Sequence, residues 1–456
     1  MPPLRATLDR RDALRLIAAG AVASLASCQR PKERLVPQAN QPDGEVPGNV
    51  RLYSTAITLS GYARGVTGRV VDGRPIKLEG LATHPASLGA TDVFAEQAIL
   101  DLYDPQRLRA PVGPDGLGDL DALRLALDRR LDRSDGRGLR LLTERVTSPT
   151  FLARVAELKR RFPAMRHVRY EAIDDDRALA GSALAHGRRL AMRPRLADVD
   201  VIVALDADPL GPGPEQVALA RAWSEGRRAR DRRTMLFVLE PSMTATGVMA
   251  DRRAALHPAM IGDALRVLAG GLGAEAGDAR LPASAAALLR TASARLKRAQ
   301  GRAVLLVGRD QPAEVHALAA WVNARLAAPV DWIAPVDPDP TPHGEAIAGL
   351  MTEMTSGAVD TLMVMGGNPA YHVPGFAGAL ARVPLSISCG TLADETSARC
   401  RWTLPVSHEL ESVARRARGR RYRVGRAAAG PSALRHAFAH RAARPTCGAA
   451  CAAVGP

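Results

Sequence analysis

Short apolar runs alternate with stretches of helical periodicity along this chain, and nothing else in it constrains the fold as tightly. Leu139 to Thr143, Val199 to Leu205 and Met235 to Leu239 form one series, with a helical stretch near Leu152 to Arg161 between them. Ala303 to Val307, Val330 to Ile333 and Thr361 to Met365 form a second, with helices near Ser284 to Gln300, after Pro312 and from Gly344. Strands that are apolar on both faces and separated by helices belong to parallel sheets covered on both sides. The expectation is an α/β fold of Rossmann-like, doubly wound parallel sheets in two or three subdomains, the second series forming a sheet of its own. An earlier stretch, Arg51 to Pro111, reads as short strands joined by turns such as Asp72-Gly73-Arg74-Pro75.

The ends of the chain differ from its body. Arg10 and Arg11 precede an apolar run from Leu16 to Ser27, too short to span a bilayer, and Cys28 closes it. That is the layout of an exported lipoprotein, with a twin-arginine pair and a small-residue Leu25-Ala26-Ser27 lead into a lipidated Cys28. The other reading is a cytosolic helix with a buried cysteine. Residues 1–28 are accordingly expected to be an export signal and 29–50 an extended tether, with folded parts at 51–269 and 283–412 joined by a glycine-rich linker at 270–282. Residues 413–456 form a basic tail.

The formal charge of +15 suggests nucleic acid or an anionic membrane as partner. Ten arginines and no acid fall in residues 413–456, however, leaving 52 basic against 47 acidic residues in the rest. No basic run is interleaved with stacking aromatics, so no nucleic-acid partner is expected. Cys389 and Cys400 are the cysteines of the body and no C-x-x-C occurs, so these residues encode neither an iron–sulfur nor a zinc framework.

Ligands of doubly wound sheets sit beyond the carboxyl ends of the strands. Asp206-Ala207-Asp208-Pro209 follows one strand, Glu240-Pro241 the next, and Gly366-Gly367-Asn368-Pro369 a third. Glycine amides suit a pyrophosphate, and carboxylates suit ribose hydroxyls or a guanine edge. Each segment alone also describes an ordinary turn.

Taken in order, Gly80-Leu81-Ala82-Thr83-His84-Pro85, Asp206, Glu240, Gly366-Gly367-Asn368-Pro369 and Glu395-Thr396 with Leu404-Pro405 resemble the molybdopterin oxidoreductases. In that family these segments surround a pair of pyranopterin guanine dinucleotides. A closer resemblance is to the B subunit of alternative complex III, a bacterial quinol-oxidising complex. Thr83 to Phe94, Leu102-Tyr103-Asp104-Pro105, Gln311 to Leu318 and Leu404 to His408 carry it, and it spans roughly residues 8–412.

The chain departs from a working member of the wider family. No cysteine lies between Cys28 and Cys389, so a cluster before Gly80 would have no thiolates, and no Cys or Ser stands as a metal ligand near Arg177 to Arg188. Asp174, Asp175 and Asp176 are the remaining candidates for that ligand. His84 reads as a packing or capping histidine rather than a proton carrier, and His316 as an interface or core histidine.

The resemblance therefore implies a molybdopterin-like fold kept for shape and docking, with no catalytic residue and no metal site. His84, Asp206, Glu240, Gly366, Gly367 and Asn368 would be vestigial dinucleotide positions, and molybdopterin is not expected to be bound. The implied partners are membrane quinol-oxidising subunits, cytochrome c-type subunits and a terminal oxidase, with the lipid bilayer held through Cys28. The implied location is the periplasmic face of the bacterial inner membrane. In the family, iron–sulfur clusters reside in a ferredoxin-like domain beyond the matched region. Reading Val413 to Arg444 one base on, with GC-rich codons, yields a sequence similar to that continuation, so the tail is expected to be out of frame and the chain truncated before the clusters. The alternatives are an active molybdopterin-dependent oxidoreductase and a lipoprotein scaffold without redox partners.

Overall fold

The computed structural model describes residues 46, 48–131, 135–229, 233–275, 279–337 and 339–411, together with the strands Arg415–Ala417 and Arg423–Gly425. The expected export signal with Arg10, Arg11 and Cys28, most of the tether and most of the tail lie outside the described residues. The chain divides after Asn49, and the unit that begins at Val50 carries the fold described below.

Strands β1 (Val50–Leu59), β2 (Tyr62–Val71) and β3 (Arg74–Gly80) form an antiparallel meander in that order. Asp72 and Gly73 join the last two with φ of 49° and 76°. Two consecutive left-handed residues make the two-residue turn whose twist matches its strands, which is why an Asp-Gly pair stands there. Helix Val93–Tyr103 starts at Asp92, whose carboxylate accepts the Ala95 N–H at 3.0 Å. Its Ala95 and Leu102 pack on Ile57, Val66 and Leu78 of the meander.

The remaining strands are β4 (Val112–Gly113), β5 (Gly116–Leu117), β6 (Leu139–Thr143), β7 (Arg166–Arg169), β8 (Ala191–Pro194), β9 (Val201–Leu205), β10 (Met235–Glu240), β11 (Arg252–Ala255), β12 (Ala303–Val307), β13 (Val330–Ile333), β14 (Thr361–Met365), β15 (Leu385–Gly390) and β16 (Trp402–Pro405). They build a four-stranded parallel sheet ordered β11-β10-β9-β12 and a seven-stranded sheet ordered β5-β4-β16-β15-β14-β6-β7. The larger sheet is parallel from β16 to β7 and ends in the short antiparallel β4–β5 edge.

The fold class is the expected one, α/β with Rossmann-like sheets. The second series of strands, however, does not form a sheet of its own. Ala303–Val307 joins β9, whereas Thr361–Met365 joins β6, so each sheet draws strands from both sides of the 270–282 connection. Burial explains the choice. Val201, Val203, Leu205, Phe237, Leu239 and Leu305 face helices Ile261–Gly270 and Ala283–Arg298 in one core, and Ile202, Leu236, Val238, Val304 and Leu306 face Trp223 in another. Without Leu305 and Val304 both cores would be open on the β9 side. The third expected strand, β13, pairs antiparallel with β8 in a separate ribbon. Its Asp331 is exposed and its neighbours only partly buried, unlike the buried residues of β9 and β12, so it suits an edge and not a covered sheet.

Because Leu305 is fully buried, Leu305→Ala is expected to cost about 2–5 kcal/mol of unfolding free energy in denaturant melts. A change within about 0.5 kcal/mol, the range of surface substitutions, would show that β12 does not complete this core.

Candidate ligand cleft

Each parallel sheet contains one point where the chain reverses its direction of winding. From β9 the chain proceeds to β10 and β11 on one side, and β12 later takes the other side. From β6 it proceeds to β7, and β14, β15 and β16 later take the opposite side. Open α/β sheets bind ligands at such points, beyond the carboxyl ends of the diverging strands.

A cleft of about 1110 Å³ lies against the first reversal, lined by Asp206 and Asp208 after β9 and by Gly308, Arg309 and Asp310 after β12. Across it stand Tyr62, Arg145, Asp175, Trp332 and His343. Asp206 turns the chain with a φ of 56°, and its carbonyl lies so close to Gly308 that a Cβ there would sit 2.0 Å from it. Only glycine permits that approach. Gln311 donates to the Asp206 carboxylate at 2.8 Å, while burial pushes that carboxyl above its ordinary pKa.

Tyr62 lies between two guanidiniums, Arg145 at 5.8 Å and Arg193 at 5.6 Å from its ring centre. Burial raises its phenol pKa. Both cations are already paired, Arg145 with Asp175 at 3.5 Å and Arg193 with Glu215, and Arg189, also in the cleft wall, pairs with Asp176 at 3.4 Å. Seven aspartates and four arginines line the cleft, so its walls carry an excess of carboxylate.

Among the dinucleotide positions expected from sequence, Asp206 lines this cleft and His84, Glu240, Gly366, Gly367 and Asn368 do not. Glu240 is 1% exposed, and its carboxylate accepts from Arg253 Nε at 2.5 Å and Thr244 Oγ1 at 2.6 Å. His84 is buried, its ring over Gly65 and its Nδ1 accepting the Ala86 N–H at 3.3 Å, which is the packing and capping role. Gly366 and Gly367 follow β14 at the second reversal with φ of 79° and 73°. Asn368 binds the other motif segment of the sequence: its Oδ1 accepts from Thr396 N at 3.2 Å and Thr396 Oγ1 at 2.7 Å, and its amide donates to Glu395 at 2.5 Å.

Asp174 accepts the Asp176 N–H at 2.8 Å, and Asp176 also accepts the His343 N–H at 2.6 Å. The three aspartates thus serve local turns and ion pairs. His316 borders the cleft on helix Ala313–Arg325, with Nε2 3.4 Å from the Arg309 carbonyl, and burial lowers its pKa. Cys389 is buried in β15 and its thiol is pushed up to about 12, which leaves it unreactive at neutral pH.

Sequence reading passed over Glu144, Arg145 and Tyr62. The first two follow β6 directly, so the strand-end rule that found Asp206 and Gly366 also reaches them. Tyr62 enters from the meander, far away in sequence.

No protein-family model matches the chain, and no curated protein matches its sequence. Solved structures do match. Acetylene hydratase from Pelobacter acetylenicus superposes with a TM-score of 0.59 at 11% identity, over 83% of this chain and 67% of that one. The likeness is one of fold. It supports the α/β, molybdopterin-oxidoreductase-like class that the sequence motifs resemble. A formyltransferase/hydrolase complex from Methylorubrum extorquens overlaps with a TM-score of 0.47 at 16% identity, over 71% of this chain and 94% of that one, too low to add to the assignment.

The pterin dinucleotides of that fold family carry diphosphates, and the residues here do not fit them. Arg145, Arg189 and Arg193 are each paired with a carboxylate, aspartates outnumber arginines along the cleft, and Glu240 and Asn368 are committed to protein partners. No three His, Cys, Asp or Glu side chains converge as metal ligands among the described residues.

Glu171 accepts the Arg145 N–H at 2.8 Å, and burial, reinforced by the charge of Glu144, pushes its carboxyl from 4.5 up to about 7. A raised acid favours the protonated fold, so its contribution is complete below 4.5 and is lost as pH rises through 7. Glu171→Gln keeps the acceptor without the charge. It is expected to melt close to the parent protein at pH 5 and above it at pH 8 in thermal melts; identical melting at both values would contradict the shift.

Proposed function

We propose that this chain is the molybdopterin-like part of a respiratory quinol oxidoreductase, corresponding to the B subunit of alternative complex III. It serves there as a cofactor-free docking body, not as a catalyst. The observation that carries this reading is the fate of the dinucleotide motifs. Asn368 ties to Glu395 and Thr396, and Glu240 ties to Arg253 and Thr244, so residues that would face a ligand act as struts of the fold. The family-like segments from Thr83 to Phe94 and from Gln311 to Leu318 support the particular subunit.

In this reading electrons taken from membrane quinol reach a c-type cytochrome or terminal oxidase through clusters that lie outside residues 50–411. The chain supplies the surface on which cluster- and haem-bearing neighbours assemble. It is held at the periplasmic face of the inner membrane by lipid on Cys28 and by those neighbours. No helix among the described residues is long and apolar enough to cross a membrane.

Affinity capture of the tagged full chain from gently solubilised native membranes tests the assignment. A c-type cytochrome and a polytopic quinol-site subunit are expected in defined proportion to the chain. Recovery of the chain without either would overturn the respiratory reading and favour a free lipoprotein scaffold.

A further inference from the structure

The meander of β1, β2 and β3 buries one face and leaves part of the other open. Ile57, Val66 and Leu78 pack with Ala95 and Leu102 of helix Val93–Tyr103 on the buried face. Residues two apart on a strand share a face, as do residues directly opposite on neighbouring strands. The registers Val50↔Val71↔Arg74 and Leu52↔Arg69↔Lys77 therefore bring these six side chains together on the other face. A solvated sheet face is ordinarily polar. Here Leu52 is 65% and Val50 45% exposed, even with the strands Arg415–Ala417 and Arg423–Gly425 lying against β2 and β1. Arg74 beside them is exposed as well. The one acid of this face in the three strands, Glu79, stands 3.8 Å from Arg69, and Lys77 reaches Glu96 of the helix at 3.5 Å. Both pairs are half-exposed, so they hold their bases weakly.

We propose that this end of the meander rests on an anionic lipid bilayer, with Val50 and Leu52 in the headgroup layer and Arg69, Arg74 and Lys77 against its phosphates. The inference rests on the membrane-anchored reading and names the face that meets the lipid. Two observations favour lipid over a protein as the occupant. The folded unit begins at Val50, inside the patch, so the segment that follows Cys28 brings its anchor to this end of the fold. A flexible chain of that length spans roughly 25 Å. A body tethered so closely meets the bilayer at high effective concentration, and contacts too weak to bind alone then suffice to orient it. The second observation is charge: three bases against one acid beside an apolar pair suit anionic headgroups over an acyl layer.

The full chain carrying Ser54→Trp, on the same face as Leu52, is purified from membranes and reconstituted into vesicles of phosphatidylglycerol and phosphatidylcholine with brominated acyl chains. The emission added by this tryptophan is expected to fall at least about twofold against unbrominated vesicles, because a tryptophan held at the bilayer interface lies within reach of the bromines. Leu52→Asp in the same protein is expected to abolish the quenching. Met243→Trp, at a position as exposed as Leu52 but beyond β10, is expected to show none. Vesicle flotation is read on each sample. A chain that floats with its Ser54→Trp emission unquenched would overturn the proposal and leave the lipid anchor standing, which is the result if a protein partner covers this face. Quenching that survives Leu52→Asp would also overturn it. A chain that does not float would contradict the anchored reading itself, and the proposal with it.

Discussion

The parallel pairing of β12 with β9, from Ala303↔Val201 to Val307↔Leu205, sets the rest of the molecule. By taking the open side of β9 it creates the reversal that the cleft lies against, and it closes both cores of the smaller sheet with Leu305 on one face and Val304 and Leu306 on the other. The same move is made in the larger sheet, where β14 takes the open side of β6. The two halves of the chain are thereby interlaced. A body built this way cannot lose one half without opening hydrophobic faces of both sheets, which favours retention of the whole fold even if a ligand is no longer bound.

The motif residues fit that economy. Buried polar groups persist where they are fully partnered, and a half-satisfied one costs more than an apolar replacement. Asn368 spends its oxygen on Thr396 and its amide on Glu395, locking the turn after β14 to the segment that precedes β16. Glu240, fully inside the protein, is held by Arg253 from the neighbouring strand β11 and by Thr244. Removing one partner of such a pair leaves an uncompensated buried charge. The residues therefore have a structural reason to remain, independent of any cofactor.

Much of this was legible in the sequence. Six apolar runs predict β6, β9, β10, β12, β13 and β14 within a residue or two, because a strand buried on both faces leaves few polar positions. The Asp72-Gly73 turn was legible for the same local reason. The sharing of strands between sheets was not, since an all-apolar strand carries no mark of which equally apolar neighbour it will join. β13 shows the limit from the other side: its run is apolar enough to suggest a core strand, yet Asp331 makes it an edge. Asp206 in the cleft and Gly366 at the second reversal are legible because they follow strands. The pairing of Asn368 with Thr396 spans 28 residues, and the Tyr62 contact with Arg145 joins separate elements, so neither has a local signature.

The central claim is that the fold of a dinucleotide enzyme here serves as a docking body without a redox cofactor. Elemental analysis of molybdenum and tungsten, with extraction of pterin, on protein isolated from its native membranes tests it most directly. The account predicts far less than one metal atom per chain and no recoverable pterin. One atom of molybdenum or tungsten per chain, with its pterin, would contradict it and make the cleft beside Asp206 an active site.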